Sequence, residues 1–156
     1  MTKNEIWDQQ FSFLTEEHRD SLLVCWKIRT GIKKGIELSR IKAYADWHFN
    51  TRLLPHIYKE EVVIIHLLGK KHPLVAKSLA QHRRLKRLFR KPSELIRQLN
   101  SIEEELEINI RFEEHKLFTE LKNSINSPAF DPIEFVKEEA PLSEDWADCF
   151  WEEHHG

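Results

Sequence analysis

The sequence predicts an all-α protein: an up-down-up-down four-helix bundle with an aromatic-rich C-terminal tail packed on it. Three observations point there. Four stretches carry apolar residues at mixed three- and four-residue spacing, the period of an amphipathic helix. The turns between them are short, as antiparallel neighbours in a bundle require. Only 4 glycines and 6 prolines occur in 156 residues, too few for the many tight turns of a β-sandwich or barrel.

The first helix is expected over residues 14–32, with Leu14, His18, Leu22, Cys25, Trp26 and Ile32 near one face. Gly31 and Gly35 are expected to bracket the following turn, and Lys33 and Lys34 suit a helix C-terminus. The second helix is expected over residues 37–68. Its inner face reads Ile41, Ala45, Phe49, Leu53, His56, Glu60, Val63, Leu67. Pro55 lies inside it and predicts a kink or local break, and Gly69 is a plausible stop. The third helix opens at Pro73, a good first-turn residue, and runs to Phe89 on a face of Val75, Leu79, His82, Leu85 and Phe89. Pro92 and Ser93 mark the next turn. The fourth is expected as one continuous helix over residues 93–125, with Leu95, Leu99, Ile102, Leu106, Asn109, Glu113 and Leu117 in register. Ser101 and Glu104 have the spacing of a capping box, which leaves a late start or a break open.

The helical period fails from Asn126, so residues 1–125 form the bundle and residues 126–156 the tail. Pro128, Pro132 and Pro141 punctuate that tail, yet it holds Phe130, Phe135, Trp146, Phe150 and Trp151. So many aromatic side chains imply docking on the bundle, with a short helix over residues 143–153.

Composition narrows the function classes. Hydrophobic residues at 40% and charged residues at 32% fit a soluble globular chain and exclude a disordered one. A net charge of -2 gives no basic excess for nucleic acid or an anionic membrane. The run His82-Arg83-Arg84-Leu85-Lys86-Arg87 reads as a solvated outer face, paired with the acidic run Glu103-Glu104-Glu105. The longest apolar run, Val62 to Ile65, is far below the ~18 residues of a membrane span. No signal-peptide pattern opens the chain, and Cys25 and Cys149 are too few for a disulfide framework. A cytoplasmic, reduced protein is the expectation. No nucleophile or acid–base constellation argues for an enzyme, and no catalytic residue is assigned.

The informative anomaly lies on the inner faces. Helix one carries His18, helix two His56 and Glu60, helix three His82, and helix four Asn109 and Glu113. His56 and Glu60 stand one turn apart on one face, as do Asn109 and Glu113. An unpaired buried carboxylate costs several kcal/mol, so these groups must find partners. Glu60 and His82 lie at similar depth from the turn near residue 70. His82 and Asn109 lie unequally far from a turn centred near residue 91, by ~13 Å at 1.5 Å per residue, unless helix four starts late. There is also an internal echo. His56-Ile57-Tyr58-Lys59-Glu60-Glu61 parallels Asn109-Ile110-Arg111-Phe112-Glu113-Glu114. Nitrogen and oxygen donors of this kind suit iron, manganese or zinc. The competing explanation is a buried His–Glu ion-pair network without metal.

These segments resemble the hemerythrin-like, HHE cation-binding family over residues 14–125. The carriers are Glu17-His18 before Leu22-Leu23, then Leu54-Pro55-His56-Ile57-Tyr58-Lys59-Glu60-Glu61, then Ala80-Gln81-His82-Arg83-Arg84-Leu85, then Ile110-Arg111-Phe112-Glu113-Glu114 with Leu117-Phe118. The resemblance implies a non-haem iron centre inside a four-helix bundle. Its ligands would be His18, His56, Glu60, His82 and Glu113, with Glu60 and Glu113 bridging two metals. It implies roles in iron binding or in sensing dioxygen or nitric oxide. The departure is Asn109, where the family usually has histidine; Ser78 likewise stands where oxygen-carrying members have another. A di-iron or a single-metal site fits the remaining donors, and a carrier-type site does not. Asn109 itself is counted as a weak candidate ligand. Around these, Glu61 and Glu114 stand one step off the ligands, where they either orient a histidine or stay solvated. His48 and His115 are expected outside the ligand set, and His66, His72, His154 and His155 near helix ends or in the tail. The alternative of a different class is a metal-free helical scaffold acting as a protein-interaction module.

Overall fold

The computed structural model describes residues 3–125 and 146–154, and no strand occurs among them. Helix α1 covers Lys3–Lys33, α2 Leu38–His48, α3 Leu54–Leu68, α4 Pro73–Arg90, α5 Leu95–Phe112 and α6 Phe118–Ile125. One π-helical turn, Phe49–Leu53, joins α2 to α3; another, Glu113–Leu117, joins α5 to α6. The chain therefore makes four rods, the four-helix bundle expected. Pairs across the first and fourth rods run in opposite senses, His18 with Glu114 and Arg29 with Glu103, so these neighbours are antiparallel.

The helix ends follow local chemistry. Gly35 takes φ 74° after α1, and Gly69 takes φ 85° after α3, conformations that cost a glycine little. His72 caps α4 by accepting the Leu74 N–H on Nδ1, with Pro73 in the first turn. Pro55 does not break the second rod. The Leu54 N–H bonds to Phe49 O, five residues back, and this widened turn makes room for the proline ring. The same five-residue reach recurs where the Phe118 N–H bonds to Glu113 O, without a proline to demand it. The fourth rod shows no break at Ser101.

Three details of the first rod differ from expectation. It begins at Lys3 rather than near residue 14. Trp26 is half exposed rather than inward. Gly31 is buried inside α1 rather than flanking the turn, because a Cβ there would meet Phe150 Cε1 at 2.6 Å and Ile41 Cδ1 at 2.9 Å. The missing side chain is the seat of the tail. Phe150 is fully buried on that seat. Arg40 forks onto Asp148 at 2.9 and 2.7 Å and also reaches Glu153. Lys27 lies 4.0 Å over the Trp151 ring. The expected helix over residues 143–153 is instead a single 3-10 turn, Phe150–Glu152. So short a segment has little helical stability of its own, and its shape follows its anchors on α1 and α2. Phe130, Phe135 and residues 143–145 lie outside the described residues.

The core has two apolar layers. One includes Cys25, Ile28, Ile41, Phe49, Leu85 and Ile102 and receives Phe150. The other includes Leu14, Val63, Val75, Leu117, Phe118 and Leu121. On each rod, the polar residues of interest fall between a residue of one layer and a residue of the other. A polar stratum is thus sealed between two hydrophobic plugs.

Candidate metal centre

His18, His56, Glu60, His82 and Glu113 all lie in that stratum, each no more than 4% exposed. Their approach follows from spacing on the rods. His56 and Glu60 are one turn apart on α3, and His56 Nε2 stands 2.9 Å from Glu60 Oε2. His18 Nε2 on α1 stands 3.1 Å from the same oxygen and 3.2 Å from Glu113 Oε1. His82 Nε2 on α4 faces the other two carboxylate oxygens, Glu113 Oε2 at 2.9 Å and Glu60 Oε1 at 3.4 Å. Each buried carboxylate therefore turns one oxygen toward His18, which for Glu60 also meets His56, and the other toward His82.

A second set of glutamates holds the imidazoles. His18 Nδ1 lies 3.2 Å from Glu114 Oε1, His56 Nδ1 3.1 Å from Glu17 Oε1, and His82 Nδ1 2.8 Å from Glu61 Oε2. Glu17 reaches from α1 to the second rod, Glu61 from there to α4, and Glu114 from the fourth rod to α1. Ser78 on α4 completes the ring by donating to Glu113 Oε2 at 2.6 Å. A carboxylate on Nδ1 favours the proton there and turns the Nε2 lone pair inward.

That arrangement poses an electrostatic problem. Five carboxylates surround three imidazoles, and the Nε2 lone pairs point at oxygen lone pairs. Glu60 Oε1, Glu113 Oε1 and His82 Nε2 are buried and make no hydrogen bond of acceptable geometry. Only a positive species among them resolves this: added protons or a metal cation. Without metal the imidazoles serve as the cations. Burial acts to lower the His18 pKa, but contacts with Glu113, Glu114 and Glu60 outweigh it and raise it to about 11. Burial opposes His56 and His82 likewise, and their glutamates again win; both are raised. Burial works against the Glu60 carboxylate, yet its neighbours Glu113, His18, His56 and His82 hold it well below the usual range.

The dimensions suit a cation. One donor atom from each of His18, His56, Glu60 and Glu113 can be chosen so that all lie within 4.8 Å of one another. Three Nε2–Oε separations in that group, 2.9–3.2 Å, match adjacent corners of a polyhedron with bonds of about 2.1 Å, whose edges are about 3.0–3.4 Å. Apolar closure is supplied on one side by Phe118, whose ring stacks on His18 at 5.1 Å and 6°.

Asn109 is buried, and its described contact is a donation from Nδ2 to Gln81 Oε1 at 2.8 Å. Glu61 and Glu114 orient histidines rather than facing solvent alone. Glu17 plays the same part, although the sequence marks it only as the neighbour of His18. His48 is buried beside Ser21, 3.4 Å from its hydroxyl, and outside the His/Glu group. His115, His66 and His154 are exposed. The outer face of α4 carries Arg84 paired with Glu105 at 2.8 Å, while Arg29, not the basic run, takes Glu103. No described helix is long and apolar enough to cross a membrane.

No protein-family model matches the chain, and no curated protein or solved structure matches it.

Proposed function

We propose that the chain is a cation-binding protein that holds iron through His18, His56, Glu60, His82 and Glu113. We place its role in iron binding or in the sensing of dioxygen or nitric oxide. The observation that carries the reading is the inward convergence of Nε2 and carboxylate lone pairs in a sealed polar stratum. Zinc and manganese accept the same donors, and the choice of iron rests on the resemblance to hemerythrin-like proteins. Iron, when bound, supplies reversible one-electron chemistry and affinity for small diatomic ligands. The chain's own residues do the rest. Glu17, Glu61 and Glu114 fix the imidazole rings, and Glu60 and Glu113 neutralise cationic charge. The two apolar layers exclude water, which strengthens every electrostatic contact between them.

The second reading, a metal-free scaffold for protein interaction, draws on one observation. Asn109 offers an amide where an imidazole would complete the echo of His56, and that amide is already bonded to Gln81. Elemental analysis of chain purified from iron-supplemented cells separates the two. Near-stoichiometric iron that is lost in His56→Ala supports binding. Metal-free protein whose stability ignores added Fe(II) supports the scaffold.

A further inference from the structure

We infer that the centre is two unequal cation positions, a tight one on the His18–His56 side and a weak one on the His82 side. This inference rests on the metal-binding reading above and concerns how many cations the chain holds and in what order.

The four carboxylate oxygens divide between two sides of the stratum. Glu60 Oε2 faces both His18 and His56, at 3.1 and 2.9 Å, and Glu113 Oε1 faces His18 at 3.2 Å. Glu60 Oε1 and Glu113 Oε2 face His82, at 3.4 and 2.9 Å. The first position thus has two imidazoles and two carboxylate oxygens, four donors close enough to share one ion. The second has one imidazole and two carboxylate oxygens.

The two residues that could make up the difference do not. Ser78 gives its hydroxyl proton to Glu113 Oε2, the oxygen the second cation needs, and so engages one of its lone pairs. Asn109 spends its amide N–H on Gln81, which leaves only the amide oxygen for a cation, a far poorer donor than imidazole for these metals. A second ion would also enter against the charge of the first, across two shared carboxylates. Donor count, competition for Oε2 and repulsion all act in one direction. Loss of a mere orienting partner costs metal affinity about 10–100-fold. A missing ligand plus repulsion should separate the two positions by at least about 100-fold.

The test is anaerobic Fe(II) titration of the metal-free full chain by calorimetry, with bound iron counted after desalting. Wild type should take one tight equivalent and keep it, with a second at least about 100-fold weaker. His82→Ala should retain the tight equivalent and His56→Ala should lose it. Asn109→His combined with Ser78→His should gain a second retained equivalent. Two retained equivalents of equal affinity in wild type would overturn the asymmetry while leaving metal binding intact. So would a tight equivalent that vanishes in a folded His82→Ala but survives in His56→Ala. Wild type that binds no Fe(II) at all would overturn the metal reading and this inference with it. The wild-type count alone decides the matter if a variant does not fold.

Discussion

Glu17 of α1 reaches across to the second rod and sets its Oε1 3.1 Å from Nδ1 of His56, while its other oxygen accepts from Lys59 Nζ at 3.3 Å. The contact holds the imidazole in the orientation that turns Nε2 onto Glu60. Glu17→Gln keeps the size of the side chain but weakens its hold on the Nδ1 proton. It should lower metal affinity about 10–100-fold and leave the helical signal intact. The check is competition with a coloured chelator, alongside far-ultraviolet circular dichroism. Unchanged affinity would remove Glu17 from the account.

Metal binding should release protons. His18 sits at about 11 in the metal-free chain, and His56 is also raised. His18 therefore carries an added proton at neutral pH that a cation must displace, and His56 is biased the same way. At least about one proton per tightly bound cation is expected, read from binding heats in buffers of different ionisation enthalpy. Affinity should rise with pH. Stability of the metal-free chain should move the other way. A pKa raised on folding stabilises fully below its unfolded value, about 6.5. His18's share is then lost as pH climbs toward about 11.

His48 should give the opposite slope. Burial first, then the charges of Arg52, Lys27 and His56, push its pKa down to about 3. The unfolded imidazole takes a proton near pH 6.5 that the folded one refuses. Stability is therefore lost as pH falls from about 6.5 toward about 3, by at most about 1.4 kcal/mol per pH unit. Urea unfolding of wild type and His48→Gln between pH 7 and pH 5 isolates this share. The variant should show the shallower acid loss.

Gly31→Ala should unseat the tail. Its Cβ would stand 2.6 Å from the Phe150 ring and 2.9 Å from Ile41, and overpacking of this kind costs about 1–3 kcal/mol. A lower thermal midpoint and a shift in tryptophan emission, from Trp146 and Trp151 near the seat, are expected. The metal stoichiometry should not change, since the seat lies in the apolar layer away from the centre.

Much of this was legible in the sequence, and the limits have physical causes. His18, His56, Glu60, His82 and Glu113 stood out because a histidine or carboxylate interrupting an apolar stripe is costly on any rod that packs inward. The four rods were legible for the same reason, since the 3.6-residue period survives a π turn. Two matters depended on contacts between rods. The first was depth. Gln98 bonds to Leu88 O, Asn109 to Gln81, and Ser78 to Glu113, so Asn109 is level with Gln81 rather than ~13 Å below it. Lys91 and Glu94 are extended, and the non-helical link between α4 and α5 puts the turn further along the chain than residue 91. The second was the role of Glu17, Glu61 and Glu114. Glutamates one step off a ligand look solvent-facing on a single helix, and only the neighbouring rod supplies the imidazole each one holds. The tail's conformation was not legible because Gly31, its seat, reads as a turn residue until Phe150 is placed against it.

The central claim is that imidazoles and carboxylates from separate rods close on one cation. X-ray absorption at the iron edge of the loaded, desalted chain addresses it most directly. The account predicts a nitrogen and oxygen shell with the outer-shell scattering of about two imidazoles per tightly held iron, lost in His56→Ala. Iron that washes off, or a retained iron without imidazole scattering, would contradict it.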